Sequence, residues 1–303
     1  MGSAQTDPPV LVTGATGFVG RRVVAAAGGR AVPLSLRAGD PVAERLETAL
    51  AGAEAPVLIH LGGRAHRSDA ADPAALETYR RDNRDLTLAL AEAALARGVR
   101  RFVFVSTVGV HGPPAPGQVL HPDDTPAPAT AYGRAKWEAE QGLQALAAQG
   151  LELAVVRPPL VCGAGAPGNL AALARLVARG LPLPLGAVRN RRSLVEAGDL
   201  AELLILAADH RAAPGGVFLP ADPQPLSTPE IVRALAAGLG KPARLLPVPP
   251  ALLRLAGRLT GRARQIGQLV DSLEVDPSTA VERLGWRPAR GARAGLEATG
   301  RGA

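Results

Sequence analysis

Directly after a short β-branched run, Val10–Thr13, the chain reads Gly14-Ala-Thr-Gly17-Phe-Val-Gly20 and then enters the helical stretch Phe18–Ala27. A strand that must reverse into a helix within so few residues leaves few possible folds. Glycines at such a turn let the backbone bend tightly and approach a diphosphate, whose charge is stabilised by the helix N-terminus. The spacing is GxxGxxG rather than GxGxxG, and a glycine triplet by itself signals only a tight turn. With a strand before it and a helix after it, the reading is a dinucleotide-binding turn. Gly14, Thr16, Gly17, Phe18, Val19 and Gly20 are the residues expected to cradle the ligand.

The same alternation of strand and helix continues downstream. Ala31–Arg37 and Pro56–Leu61 read as strands, the latter ending in Gly62-Gly63. Asp72 as cap and Pro73 at the first position start a helix that should run to Arg97, with Gly98 as its stop. Arg101–Val105 is a strand, Thr130 can cap the next helix, Gly150 can end it, and Leu151–Val156 is a further strand. Strands that are nearly continuous apolar runs imply a sheet covered on both faces. The expected fold is therefore α/β, a Rossmann-type doubly wound parallel sheet, followed by a smaller α/β lobe. The domain boundary is placed at 158/159, with 191–210 packing back onto the first domain. Beyond Arg157, prolines punctuate shorter elements. Leu200–Ala208, Pro229–Leu239 and Ala251–Leu273 read as helices and Gly216–Pro220 as a short strand. The helix over 251–273 carries Arg254, Arg258, Arg262 and Arg264 opposite Leu252, Leu255, Leu259, Ile266 and Leu269. The pattern predicts a solvated basic face over a buried apolar stripe; contact with an anionic membrane surface is the alternative.

A net charge of +7 raises the question of nucleic acid, but the arginines are scattered and aromatic residues make up only 3%. The stacking side chains that single strands need are nearly absent, so no nucleic acid is expected, and the positive field suits an anionic small molecule. The lone Cys162 excludes an intramolecular disulfide and a cysteine metal cluster, and no metal site is expected. There is no apolar run long enough for a membrane span. The first residues lack the layout of a signal peptide. A cytoplasmic protein is expected.

The chain has two tyrosines and two lysines, and one of each falls in Tyr132-Gly-Arg-Ala-Lys136. Four residues apart on a helix they share a face. A cation beside a phenol favours the phenolate, and a phenol so tuned can exchange a proton with a sugar hydroxyl or ketone.

Taken together, GATGFVG, HLGGRAH at 60–66, FVFVSTVGVHG at 102–112, YGRAK at 132–136 and RPPLVCG at 157–163 resemble the extended short-chain dehydrogenase/reductase (NAD-dependent epimerase/dehydratase) family. RRSLVEAGDLAELL at 191–204 and LGWRP at 284–288 extend the likeness over essentially the whole chain. The finer likeness, in YGRAKWEAEQ, RPPLVCG, LPLPLGAVRNRRSLV and RLLPVPPALLRL, is to the UDP-N-acetylquinovosamine dehydrogenase (4-keto-reductase) branch. The resemblance implies that Tyr132 is the general acid/base and Lys136 its tuning partner, the lysine also binding the nicotinamide ribose. It makes Thr107 the catalytic hydroxyl, with Ser106 as the fallback on the substrate oxygen. Leu61, Gly62, Gly63 and Pro158 would line the cofactor, Asn83 would support the site, Arg192 would contact the nucleotide diphosphate, and Asn169 the sugar or phosphates. NAD(H) or NADP(H) is the implied cofactor, a UDP-sugar the implied substrate, and a homodimer the implied assembly.

The sequence departs from the family pattern in several places. The acid that usually ends the second strand and accepts from the adenosine ribose is missing, and Leu34-Ser35-Leu36-Arg37 stands there instead. Arg37 could pair with a 2′-phosphate, which favours NADP(H). The segment between it and His60 is short, so that a third strand is abbreviated or fused, and Asp40 is the one candidate for an adenine-contacting acid. His111 and Cys162 stand where relatives carry tyrosine, and His60 and His66 read as structural. Sugar dehydratases of the family carry Asp-Glu after the catalytic threonine; Val108-Gly109 here argue against elimination. Reduction of the C4 ketone of a UDP-2-acetamido-2,6-dideoxy-4-keto-hexose is the leading expectation. A UDP-sugar 4-epimerase with tightly bound NAD is the alternative. A non-catalytic dinucleotide-binding sensor is a third, although such proteins typically lose the tyrosine and lysine kept here.

Overall fold

Residues 8–50, 57–64 and 73–302 are described by a computed structural model of the chain. Asp72, expected to cap a helix, and His66 lie outside the described residues. The first strand, β1 (Val10–Thr13), enters α1 (Gly20–Ala27) through the glycine turn. Then follow β2 (Ala31–Leu34), α2 (Val42–Leu50), β3 (Val57–His60) and α3 (Pro73–Tyr79). The axis of α3 continues through a π-helical segment, Arg80–Asp85, into α4 (Leu86–Ala96). Next come β4 (Arg101–Val105), β5 (Val119–Leu120), α5 (Ala131–Ala147) and β6 (Glu152–Val156). The second half comprises β7 (Leu160–Cys162), α6 (Gly168–Ala178), β8 (Leu194–Glu196), α7 (Ala197–Asp209), β9 (Val217–Phe218), α8 (Thr228–Gly238), α9 (Pro250–Leu259), α10 (Ala263–Val270), β10 (Glu274–Val275), α11 (Ser278–Leu284) and α12 (Ala292–Arg301).

Six strands form one all-parallel sheet in the order β2-β1-β3-β4-β6-β9. Alternate residues of each strand point to opposite faces. Val10, Val12, Val57, Ile59, Val103, Ala154 and Val156 pack on one side with Leu200, Leu203 and Leu204 of α7. Leu11, Leu58, Phe102, Phe104, Leu153 and Val155 pack on the other with Leu90 of α4 and Leu143 of α5. Both faces are thus covered, which is why the strands read as unbroken apolar runs. Helix α7 packs against the sheet of the first half. A second apolar cluster joins α6, α8, α12 and Leu194 of β8 in the C-terminal lobe.

Three expectations about elements change. Strand β2 stops at Leu34, so Arg37 lies in the following turn, where the Asp40 carboxylate accepts from the Arg37 amide at 2.9 Å. The helix expected to run unbroken to Arg97 widens into its π segment at Arg80–Asp85. The helix expected over 251–273 is two helices, because Gly261 takes φ +68° and reverses the chain after α9. The expected burial pattern also inverts on α9. Leu253 and Gly257 face inward, whereas Leu252, Leu255 and Leu259 are 56%, 52% and 79% exposed. Ile266 and Leu269 of α10 do pack against the lobe's core.

Leu203 is wholly buried where α7 covers the sheet. Leu203→Ala is expected to cost about 2–5 kcal/mol, read as a lower denaturant midpoint in equilibrium unfolding.

Candidate active site

The site lies at the C-terminal ends of the parallel strands, where an open α/β sheet offers its crevice. At the end of β1, Gly14 takes φ +66° and its carbonyl accepts from Gly17 at 2.9 Å. A Cβ on Gly20 would collide with the Gly14 carbonyl, and one on Gly14 would press on the Leu61–Gly62 backbone at 3.1 Å. No side chain caps α1 and no acid stands in its first turn. Within that turn the Arg21 and Arg22 amides donate to Gly17 O and Val19 O at 3.1 and 2.9 Å, and the positive end of the helix faces the glycine turn. A cradle of this shape and polarity fits a dinucleotide diphosphate. Phe18 packs on the C-terminal lobe, and Arg22 stacks over its ring while donating to Ala164 O at 2.7 Å. The cofactor turn is in this way tied to the second half.

A chain of hydrogen bonds secures the neighbouring turn. The Gly62 amide donates to Thr13 Oγ1 at 3.1 Å, and Thr13 Oγ1 lies 2.6 Å from His60 Nδ1. His60 Nε2 lies 2.9 Å from Thr87 Oγ1, which donates to Asn83 O at 2.7 Å. Because the Thr87 proton is committed to Asn83, His60 Nε2 must be the donor and Nδ1 the acceptor. Burial, then Lys136, pushes the His60 pKa down to about 3, so the ring is neutral as this pattern requires. The imidazole stacks on Phe104 with ring centroids 5.9 Å apart.

Asn83 is fully buried in the π segment, a feature often found at functional sites. Its Oδ1 accepts from the Arg64 amide at 2.6 Å and its Nδ2 donates to Arg64 O at 3.1 Å. Gly63 next to it has φ +141°, and a Cβ there would strike Asn83 Oδ1 and come within 3.5 Å of Lys136 Nζ. The segment is clamped to α5 by Arg80 and Arg84, which reach Glu138 at 2.7 and 3.1 Å.

Helix α5 starts where Thr130 accepts from the Gly133 amide at 2.9 Å. Gly133 abuts the turn after β4; a Cβ there would meet the Gly109 carbonyl at 2.7 Å. That close approach brings the first turn of α5 to Thr107, whose hydroxyl accepts from the Gly109 amide at 3.1 Å. Lys136 is buried, donates to Val105 O at 2.9 Å and sits 4.6 Å over the Phe104 ring. Burial lowers its pKa to about 8. The Tyr132 phenol, expected to be acidified by this lysine, is instead pushed up to about 12 by burial and by Tyr79, whose ring meets it edge-on at 5.7 Å. Burial and Tyr79 thus keep the phenol in its neutral form. Pro158 follows β6, and its carbonyl accepts from Val108 at 3.0 Å, beside Thr107.

Ser106, the fallback hydroxyl, points elsewhere. It donates to Glu140, which forms a buried ion pair with Arg157 at 2.7 Å; Arg157 also donates to His111 Nε2 at 3.0 Å. With 3% exposure Ser106 is buried under the end of β4, its hydroxyl turned to Glu140. Glu140 and Arg157 fall within the matched segments YGRAKWEAEQ and RPPLVCG, but nothing in their spacing marks them as a buried pair. Asn169 and Arg192, far apart in sequence, are brought together by α10. Asn169 Nδ2 donates to Gln268 Oε1 at 3.1 Å and Arg192 Nη1 to Gln268 O at 3.0 Å. Gln268 escaped the sequence reading. Arg37 and Asp40 stay at the far end of the sheet, on the turn after β2.

This geometry has parallels among known proteins. A model of the NAD dependent epimerase/dehydratase family matches residues 10–219. The chain belongs to that family. Among curated relatives, a UDP-glucose 4-epimerase of Vibrio cholerae is 36% identical over 98% of this chain and 96% of its own. The N-acetyl-alpha-D-glucosaminyl-diphospho-ditrans,octacis-undecaprenol 4-epimerase of Escherichia coli O157:H7 is 29% identical over 80% of this chain and 77% of its own. Among solved structures, a UDP-glucose 4-epimerase of Brucella ovis in complex with NAD superposes with a TM-score of 0.77 at 21% identity, covering 98% of this chain and 99% of that one. The family is NAD-dependent.

Stability should respond to pH through two buried imidazoles. His60 and His111 are held neutral in the fold, with values near 3 and 4 against 6.5 when free. The unfolded chain therefore takes up more protons below about pH 6.5, and stability falls as pH drops through that window. Urea midpoints measured from pH 7 down to pH 4 should decline, and His60→Gln should flatten the decline.

Proposed function

We propose that the protein is a nicotinamide-dependent UDP-sugar 4-epimerase. The grouping of Thr107, Tyr132 and Lys136 beside the Gly62-Gly63 turn carries the reading, and the extent of the Vibrio cholerae likeness supports the epimerase form of it. Residues 1–158 with α7 would hold the cofactor and 159–303 the nucleotide-sugar. When bound, the nicotinamide supplies reversible hydride exchange at the sugar carbon. Gly14, Thr16, Gly17, Phe18, Val19 and Gly20 hold the diphosphate, and Leu61, Gly62, Gly63 and Pro158 line the nicotinamide end. Lys136 fixes the ribose and, once its bond to Val105 is shared, biases Tyr132 toward phenolate. Tyr132 takes the proton from the C4 hydroxyl and returns it, while Thr107 hydrogen-bonds the same oxygen. Asn169 and Arg192, with Gln268 between them, receive the nucleotide diphosphate. The net change is inversion at C4 with no net oxidation. No carboxylate follows Thr107, so nothing drives elimination of water.

Tyr132→Phe should lower turnover by about 10²–10⁴-fold while dinucleotide binding, followed by fluorescence quenching, stays at the wild-type level. Full activity in this variant would remove the tyrosine from the mechanism.

A second reading, reduction of a 4-keto UDP-sugar, is favoured by one observation. The phenol held near pKa 12 is in the donating form from the start. The basic Arg37 in place of an acid after β2 agrees with NADPH. Parallel incubations with NADPH and either UDP-glucose, UDP-N-acetylglucosamine or a UDP-2-acetamido-2,6-dideoxy-4-keto-hexose separate the two. C4 inversion seen by NMR without loss of NADPH absorbance means epimerase; absorbance loss matched to a 4-keto sugar means reductase. If Arg37 meets a 2′-phosphate, Arg37→Ala weakens NADPH binding about tenfold or more and leaves NADH unchanged; equal effects on both rule out that contact.

A further inference from the structure

Helix α9 is amphipathic the wrong way round for a helix of a soluble surface. Its inward side is Leu253 and Gly257, and Gly257 lets it lie close to α10, since a Cβ there would meet Ile266 Cγ1 at 2.9 Å. Its outward side presents Leu252, Leu255 and Leu259, and Leu246, just upstream, is 48% exposed. At 100° per residue these three helical leucines fall within one narrow sector of the helix. Adjacent leucines turned to solvent on one short helix form a patch that calls for a partner.

Charge says what kind. From Gly240 to Val270 the chain has no aspartate or glutamate, yet it carries Lys241, Arg244, Arg254, Arg258, Arg262 and Arg264. Arg254 is paired with Asp271 at 2.7 Å. Arg258, Arg262 and Arg264 are exposed and make no ion pair among the described residues. A second copy of the chain docked here about a two-fold axis would set these arginines against their own counterparts. An apolar ridge rimmed by unpaired guanidinium groups, with no acid to repel phosphates, matches an anionic lipid surface.

We propose that α9 and the turn into α10 form a peripheral docking surface for an anionic bilayer. The leucines enter the boundary between headgroups and acyl chains, and the arginines meet the lipid phosphates. Since the opposite flank of α10 carries Gln268 beside Asn169 and Arg192, docking would hold the C-terminal lobe next to the membrane. Among the described residues no helix is long and apolar enough to cross a membrane, so attachment would be reversible and interfacial.

Sedimentation of the full chain with vesicles tests this. Phosphatidylglycerol/phosphatidylcholine vesicles should bring the protein down at low salt, and pure phosphatidylcholine vesicles should not. High salt should weaken the binding. The triple variant Leu252→Gln, Leu255→Gln, Leu259→Gln should reduce partitioning about tenfold or more, and Arg258→Gln, Arg262→Gln, Arg264→Gln should also reduce it. All six side chains are exposed, so both variants should keep the wild-type circular dichroism spectrum and melting temperature, and wild-type turnover of soluble substrate. Failure to sediment with the anionic vesicles overturns the proposal, as does a leucine variant that partitions like wild type. A dimer in vesicle-free solution that the leucine variant dissolves also overturns it, in favour of self-association.

Discussion

A neutral imidazole at the centre of the sheet holds the site in shape. His60 closes β3, accepts from Thr13 at the end of β1 and donates to Thr87 on α4. Through those two threonines it links the Gly62 amide on one side to the Asn83 carbonyl on the other. The relay has one direction of donation, and a second proton on the ring would break it. Burial between the sheet and α4 excludes that proton. Nearly everything in the site leans on this chain of bonds: the Gly62-Gly63 turn, the Asn83 clamp on Arg64, and the pocket in which Lys136 meets the turn. A buried network of this kind is rigid because each member is satisfied.

A second buried network stands beneath the reacting groups. Ser106, Glu140, Arg157 and His111 connect the end of β4, the middle of α5 and the end of β6. These are the elements that carry Thr107, Lys136 and Pro158. Breaking a buried pair leaves a charge without a partner, at a cost of several kcal/mol, so the network resists relative movement of those three elements. Arg80 and Arg84 on Glu138 do the same for the π segment from the outside. The phenol in this rigid setting is neutral because it is buried against Tyr79.

The C-terminal lobe works by different means. It joins the cofactor half through α7 against the sheet and through Phe18 and Arg22 against the lobe's core. Its polar contacts at Gln268 lie on one flank of α10, so the lobe combines a polar flank at Asn169, Gln268 and Arg192 with an apolar outer edge on α9. The two features share the short helical hairpin closed at Gly261.

Local sequence determined much of this protein. Nearly continuous apolar runs marked β1, β4 and β6 almost to the residue. Glycines at 14, 17 and 20 announced the tight turn after β1, because Gly14 takes a positive φ and a Cβ on Gly20 would strike the Gly14 carbonyl. Thr130 and Gly150 bounded α5, and the Tyr132–Lys136 spacing placed two chemical groups on one face. What the sequence could not show depends on contacts between distant segments. The role of Ser106 was decided by Glu140, the protonation of Tyr132 by Tyr79 and burial, the meeting of Asn169 with Arg192 by Gln268, and the exposed side of α9 by the packing of Gly257 on Ile266. Helical periodicity reports which residues share a face. Which face turns inward is set by the neighbour that covers it, and the neighbour is a property of the folded chain.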